Sequence, residues 1–123
     1  MAAPNIAALT TITGKTATGT IGVSSSVLLA NAASSNKVFK VNAIIVSNVD
    51  GTAGADATIG YTNASSGLGT TRYLASTITV PGDATLVVLG KDTPVYMEEN
   101  TSITGRASAA GDLEYVISYE EIS

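Results

Sequence analysis

Leu113-Glu114-Tyr115-Val116-Ile117-Ser118-Tyr119-Glu120-Glu121-Ile122 decides the fold. Leu113, Tyr115, Ile117 and Tyr119 recur at a period of two. Glu114, Ser118 and Glu120 fall between them. That spacing puts the apolar set on one side of an extended chain and the polar set on the other, as in a half-buried strand. The pattern repeats upstream. Within 55–62, Ala57, Ile59 and Tyr61 share a face; within 72–80, Leu74, Ile78 and Val80 do. In 37–49, Phe39, Val41, Ala43 and Ile45 share a face and Lys40 and Asn42 oppose them. Ile44 and Val46 break that alternation, which predicts a second half covered on both faces. Residues 84–89, apolar but for Thr85, read as a central strand.

Shorter segments complete the set. Residues 94–98 and 102–108 read as strands, and 26–30 fits either strand or helix. Ile6 to Thr13 and Lys15 to Val23 read as a Thr-rich pair joined at Thr13-Gly14-Lys15. Further turns are marked by Asp50-Gly51, Ser65-Ser66-Gly67, Pro81-Gly82-Asp83, Asp92-Thr93-Pro94, Glu99-Asn100 and Gly111-Asp112. These residues supply the dihedral angles that tight turns demand. No window holds a helical period over ten residues. The expectation is one all-β domain over 1–123: a two-layer antiparallel β-sandwich, jelly-roll-like, with residues 1–23 as an N-terminal arm or as edge strands.

Composition narrows the chemistry. The 123 residues contain no Cys and no His, which removes disulfides, thiol nucleophiles, His-based triads and nearly all zinc, copper and haem sites. Ala, Gly, Ser and Thr make up nearly half the chain, and only 13% of residues are charged. The longest unbroken aliphatic runs are four residues, far below the ~18 that a spanning helix needs, so no membrane partner is expected. Net charge is −4, and the six basic residues (Lys15, Lys37, Lys40, Arg72, Lys91, Arg106) are scattered. No stripe exists to displace counterions from a phosphate backbone, and no nucleic-acid partner is expected. Met1-Ala2-Ala3-Pro4-Asn5 lacks the charged and apolar regions of a secretory signal.

Several motifs tempt and fail. Gly14-Lys15-Thr16 resembles the end of a phosphate-binding loop, but Leu9 stands where the first Gly belongs, and strand rather than helix follows. Ser34-Ser35-Asn36-Lys37 has Ser-x-x-Lys spacing without the companion motifs of that chemistry. Asn48, Asp50, Gly51 and Asp56 offer oxygen ligands but lack the acidic density and terminal Glu of a calcium loop. Glu98-Glu99 and Glu120-Glu121 are paired carboxylates. Glycoside cleavage needs two carboxyls facing across a cleft about 5 to 10 Å wide; charge at strand ends, guarding edges, is the simpler reading. Asn63-Ala64-Ser65 and Asn100-Thr101-Ser102 match the glycosylation pattern, which matters only in a secretory pathway. No catalytic, cofactor-binding or metal-ligating residues are assigned, and no cofactor is expected. A chain this apolar and this weakly charged must also place apolar surface against something, which points to an oligomer or a lattice.

Four stretches carry a resemblance: residues 37–51, KVFKVNAIIVSNVDG; 78–89, ITVPGDATLVVL; 94–103, PVYMEENTSI; and 107–123, ASAAGDLEYVISYEEIS. Together with the opening MAAPNI and the stretch TITGKT (11–16), they resemble small virion structural proteins of contractile-tailed bacteriophages that infect marine cyanobacteria. The resemblance covers essentially the whole chain. It implies a non-catalytic virion component made in the host cytoplasm. The expected role is capsid decoration or cement on the capsid surface, stabilising the shell through repeated contacts. The expected partners are the major capsid protein or other virion structural proteins, and the expected state is a homo-oligomer, with a trimer as the guess. A tail, neck or fibre-attachment component is the alternative. A carbohydrate-binding β-sandwich, with Tyr61, Tyr73 or Tyr96 beside the Glu pairs, is the alternative of another class.

Overall fold

The structure is a computed structural model and describes residue 8 and residues 10–123. Nine strands run through it: β1 (Ile12–Thr20), β2 (Ser26–Asn31), β3 (Val38–Asn48), β4 (Ala55–Thr62), β5 (Thr71–Val80), β6 (Thr85–Leu89), β7 (Val95–Met97), β8 (Thr101–Ala107) and β9 (Leu113–Ile122). One sheet has the order β1-β9-β3-β6, with β7 also paired to β3; the other has the order β2-β8-β4-β5. Every pairing is antiparallel.

This order has a simple origin. The chain behaves as one long two-stranded ribbon, pairing β1 with β9, β2 with β8, β3 with β6 and β7, and β4 with β5. Wrapping the ribbon brings β9 beside β3 and β8 beside β4. The result is a jelly roll, two packed sheets joined by Greek-key crossings. Ile44, Val46, Ile59, Ile103, Leu113 and Ile117 fill the space between the sheets. The rings of Phe39 and Tyr119 pack tilted, with centroids 5.1 Å apart.

Two buried asparagines tie the loops to this core. Asn31 donates from Nδ2 to the carbonyls of Lys37 (2.9 Å) and Met97 (3.0 Å) and accepts from Ser35 Oγ. Asn48, at the far end of β3, donates to the carbonyls of Ala53 (2.9 Å) and Val80 (2.8 Å) and accepts from the Asp50 N–H. Each satisfies carbonyls that the strand ladders leave free.

The structure corrects four expectations. The Ile6–Thr13 and Lys15–Val23 pair is not formed: Thr13-Gly14-Lys15 lies within the continuous strand β1, which runs along β9 from Ile12 opposite Ile122 to Thr20 opposite Glu114. Residues 1–7 and 9, the start of that pair and of the proposed arm, lie outside the described residues. In β3 the ladder with β9 shifts between Val41 and Ala43, leaving Asn42 as a bulge. The extra residue reverses the face of everything after it. Phe39 and Val41 point inward, then Ile44, Val46 and Asn48; Ala43 and Ile45 turn outward, against expectation. Residues 84–89 do not form a central strand. β6 pairs only with β3, and Val87 is 61% exposed. In β5, Leu74 and Val80 pack against the core, but Ile78 is 42% exposed beside Thr77, whose φ is +52° and whose N–H bonds to Thr58 Oγ1.

Candidate functional site

The paired carboxylates do not face one another. Glu121 sits between two cations, 3.0 Å from Lys15 Nζ and 2.9 Å from Lys37 Nζ. The hydrogen bond from Lys37, and then that from Lys15, holds its carboxyl below the usual glutamate range; the same contact with Glu121 raises Lys15. Glu120 accepts from Asn42 Nδ2 at 3.2 Å, and Glu99 accepts from the Asn36 N–H at 2.7 Å. Glu121, Glu120 and Glu99 each therefore serve a local bond, and Glu98 is exposed.

The other sequence candidates are equally committed to structure. Lys15 and Thr16 of the Gly-Lys-Thr stretch lie in a strand, not at a helix start. Lys37 of the Ser-x-x-Lys stretch turns to Glu121, and Ser35 to Asn31. Asp50 accepts from the N–H and hydroxyl of Thr52, which lowers its pKa, while Asp56 accepts from the Thr79 hydroxyl at 2.6 Å. Among the described residues no group of three or more His, Cys, Asp or Glu is placed to hold a metal ion. No helix among them is long and apolar enough to cross a membrane.

The tyrosines do not converge. Tyr61 packs against the core from β4. Tyr73, opposite the outward Gly60, stands 61% exposed on the outside of the four-stranded sheet. Tyr96, opposite Lys40, stands 45% exposed on the outside of the other sheet.

What remains is surface. On the outside of the five-stranded sheet, register aligns Thr18, Val116, Ile45 and Val87 in one row across four strands. The flanking row is Thr16, Ser118 and Ala43 on one side, and Thr20, Glu114, Ser47 and Thr85 on the other. Glu114 is the only charge in these three rows. Thr18, Thr20, Ser47, Glu114 and Val116 also line a shallow hollow of about 400 Å³. The outside of the four-stranded sheet is less open. The 63–70 loop folds over it, held by the Ser102 hydroxyl on the Ala64 carbonyl at 2.7 Å. Gly67, at φ +80°, brings that loop close enough that a Cβ there would stand 2.8 Å from Val27 Cγ2. A hollow of about 100 Å³ remains between Thr58, Tyr73, Thr104 and Arg106.

Sequence reasoning did not single out the row on the outer sheet face. Val87, Ile45 and Val116 lie far apart in the chain, and Ile45 faces outward only because of the bulge at Asn42.

The architecture defines the class: a jelly-roll β-sandwich without a catalytic constellation among its described residues. No protein-family model and no curated protein matches the chain. Among solved structures, it is similar to a chain in one described as "Structure of infectious bursal disease virus Gt strain", at 12% sequence identity and a TM-score of 0.34. The similarity covers 91% of this chain and 32% of that one.

Proposed function

We propose that this protein is a non-catalytic structural component of a bacteriophage virion, and within the virion a decoration protein on the capsid surface. The observation that carries this reading is a weakly charged patch on the outer face of the five-stranded sheet, the row of Thr18, Val116, Ile45 and Val87 with its two flanking rows, where Glu114 is the only charge and Lys40 and Glu120 lie beyond the patch. A flat face of β-branched and hydroxyl side chains suits repeated docking against another protein surface, where apolar area leaves water and little charge must be desolvated. The resemblance to small virion structural proteins supports the same reading. So does the rigidity of two packed sheets, which present fixed faces to neighbours. The partner on this reading is the major capsid protein.

The test is copy number in purified particles, measured by quantitative mass spectrometry against the major capsid protein. A ratio near or above one to three supports the decoration role. A few to a few tens of copies would move the protein to the tail, neck or fibre base. Absence from particles would overturn the virion reading.

A further inference from the structure

The two sheets have four outer strands, and three of them are guarded. β5 carries two register shifts against β4 and the positive φ of Thr77. β2 is shifted between Val27 and Leu29. The edge beyond β3 is divided into the short strands β6 and β7, with Pro94 between them. Bulges, short strands and proline are devices that keep sheet edges from pairing. β1 has none of these, and its one charge, Lys15, is of the kind that guards edges but is held by Glu121 of the neighbouring β9 at 3.0 Å. Its nine residues run against β9 without a shift, and seven of them are exposed.

The direction of its free backbone groups follows from the hydrogen bonds at its ends. Thr11 and Ser123 exchange both bonds, each at 2.9 Å, and the Ile21 N–H bonds to the Leu113 carbonyl at 2.8 Å. In an antiparallel ladder such pairs alternate. The odd-numbered residues of β1 therefore bond to β9, while Ile12, Gly14, Thr16, Thr18 and Thr20 aim their N–H and C=O groups at the other edge, which no strand among the described residues pairs with.

We propose that this edge pairs with the β1 edge of a second copy of the chain, antiparallel, about a two-fold axis at Thr16. That axis engages the whole strand and forms about ten hydrogen bonds. It sets large side chains against small ones: Thr18 against Gly14, Lys15 against Ala17, and Thr13 against Gly19. An axis at Lys15 would oppose two ammonium groups. With the axis at Thr16, each Lys15 is already drawn to Glu121 on its own β9, 3.0 Å away, and does not reach across the edge. The two five-stranded sheets become one continuous sheet. The contact is isologous, so it makes a dimer; a trimer would have to use a different surface.

The experiment uses the isolated protein, so its outcome is independent of where the protein sits in a particle. A two-strand contact is small, and the expected dissociation constant is on the order of 1 mM or tighter. Sedimentation equilibrium should give a mass rising from one copy to two with concentration. Thr16→Pro removes an N–H that points away from β9, toward the proposed partner, and should stay at one copy. Because the chain has no cysteine, Thr16→Cys places two thiols across the axis, at Cα atoms about 5.5 Å apart and within disulfide reach. It should cross-link under mild oxidation at least tenfold faster than Thr18→Cys, whose two copies are held apart. This comparison stands even if Thr16→Pro fails to fold. A mass that stays at one copy, a trimer, or equal cross-linking of the two cysteine variants would overturn the proposal.

Discussion

Asn48 has a shape that no apolar residue can imitate. Its amide holds the carbonyls of Ala53 and Val80 inside the fold. Asn48→Ala leaves the buried Val80 carbonyl unpaired and the Ala53 carbonyl without its side-chain donor, and we expect a loss of about 1 to 3 kcal/mol in urea denaturation. Gly105 is fixed by space rather than by bonding: a Cβ there would lie 2.8 Å from Leu28 Cδ1 and 3.0 Å from Ile59 Cδ1. Gly105→Ala should cost about 1 to 3 kcal/mol by overpacking. Glu121 acts through charge. Because its folded-state pKa is depressed, it stabilises the protein above the ordinary glutamate range, and this contribution is lost as pH falls through and below that range. The two lysines are partly exposed, so solvent limits the effect. Glu121→Gln should cost about 0.5 to 1 kcal/mol at neutral pH and flatten the acid limb of a stability–pH curve. None of this was legible from local sequence, since Lys15 and Lys37 lie 106 and 84 residues from Glu121.

At the level of elements, the alternating pattern located the strands well, and Ala55–Thr62 and Leu113–Ile122 match their expected bounds. It failed where an element depends on its neighbour. The phase of β3 changes at Asn42 because β9 has no residue opposite it, and that is a property of the pair, not of either sequence. β1 was misread because Thr-Gly-Lys satisfies the composition of a turn, while continuous pairing to β9 holds the stretch extended. β8 was found as a strand, but its near-complete burial was not, because Thr101, Ser102 and Thr104 look like surface residues until β4, β2 and the 63–70 loop enclose them. The bulge offers a sharp test. Deleting Asn42 would send Ile44 and Val46 outward and Ala43 and Ile45 inward. We expect thermal unfolding to lose its cooperativity, as followed by calorimetry.

For the whole molecule, the outer face of the five-stranded sheet and the core are separable. Val87 and Val116 are exposed, so changing both to lysine should shift stability by no more than about 0.5 kcal/mol each. On the proposed function, the same double variant should lose its place on particles, measured as copies retained after purification. Unchanged occupancy would remove this face from the contact. The fold class was readable from the chain. The candidate site was not, because it is assembled from four strands brought into register by wrapping.

That wrapping also sets a timetable. β9 lies between β1 and β3, so the larger sheet stays split until residues 113–122 have left the ribosome. Nearly the whole chain must close as a loop before β1 gains its partner, and such non-local pairing places refolding in the millisecond-to-second range rather than the microseconds of helical bundles. While it waits, β1 has two open edges instead of one. Crowded nascent chains can then exchange first strands, with one copy's β1 seated on another's β9, and fast dilution after synthesis favours the unexchanged form.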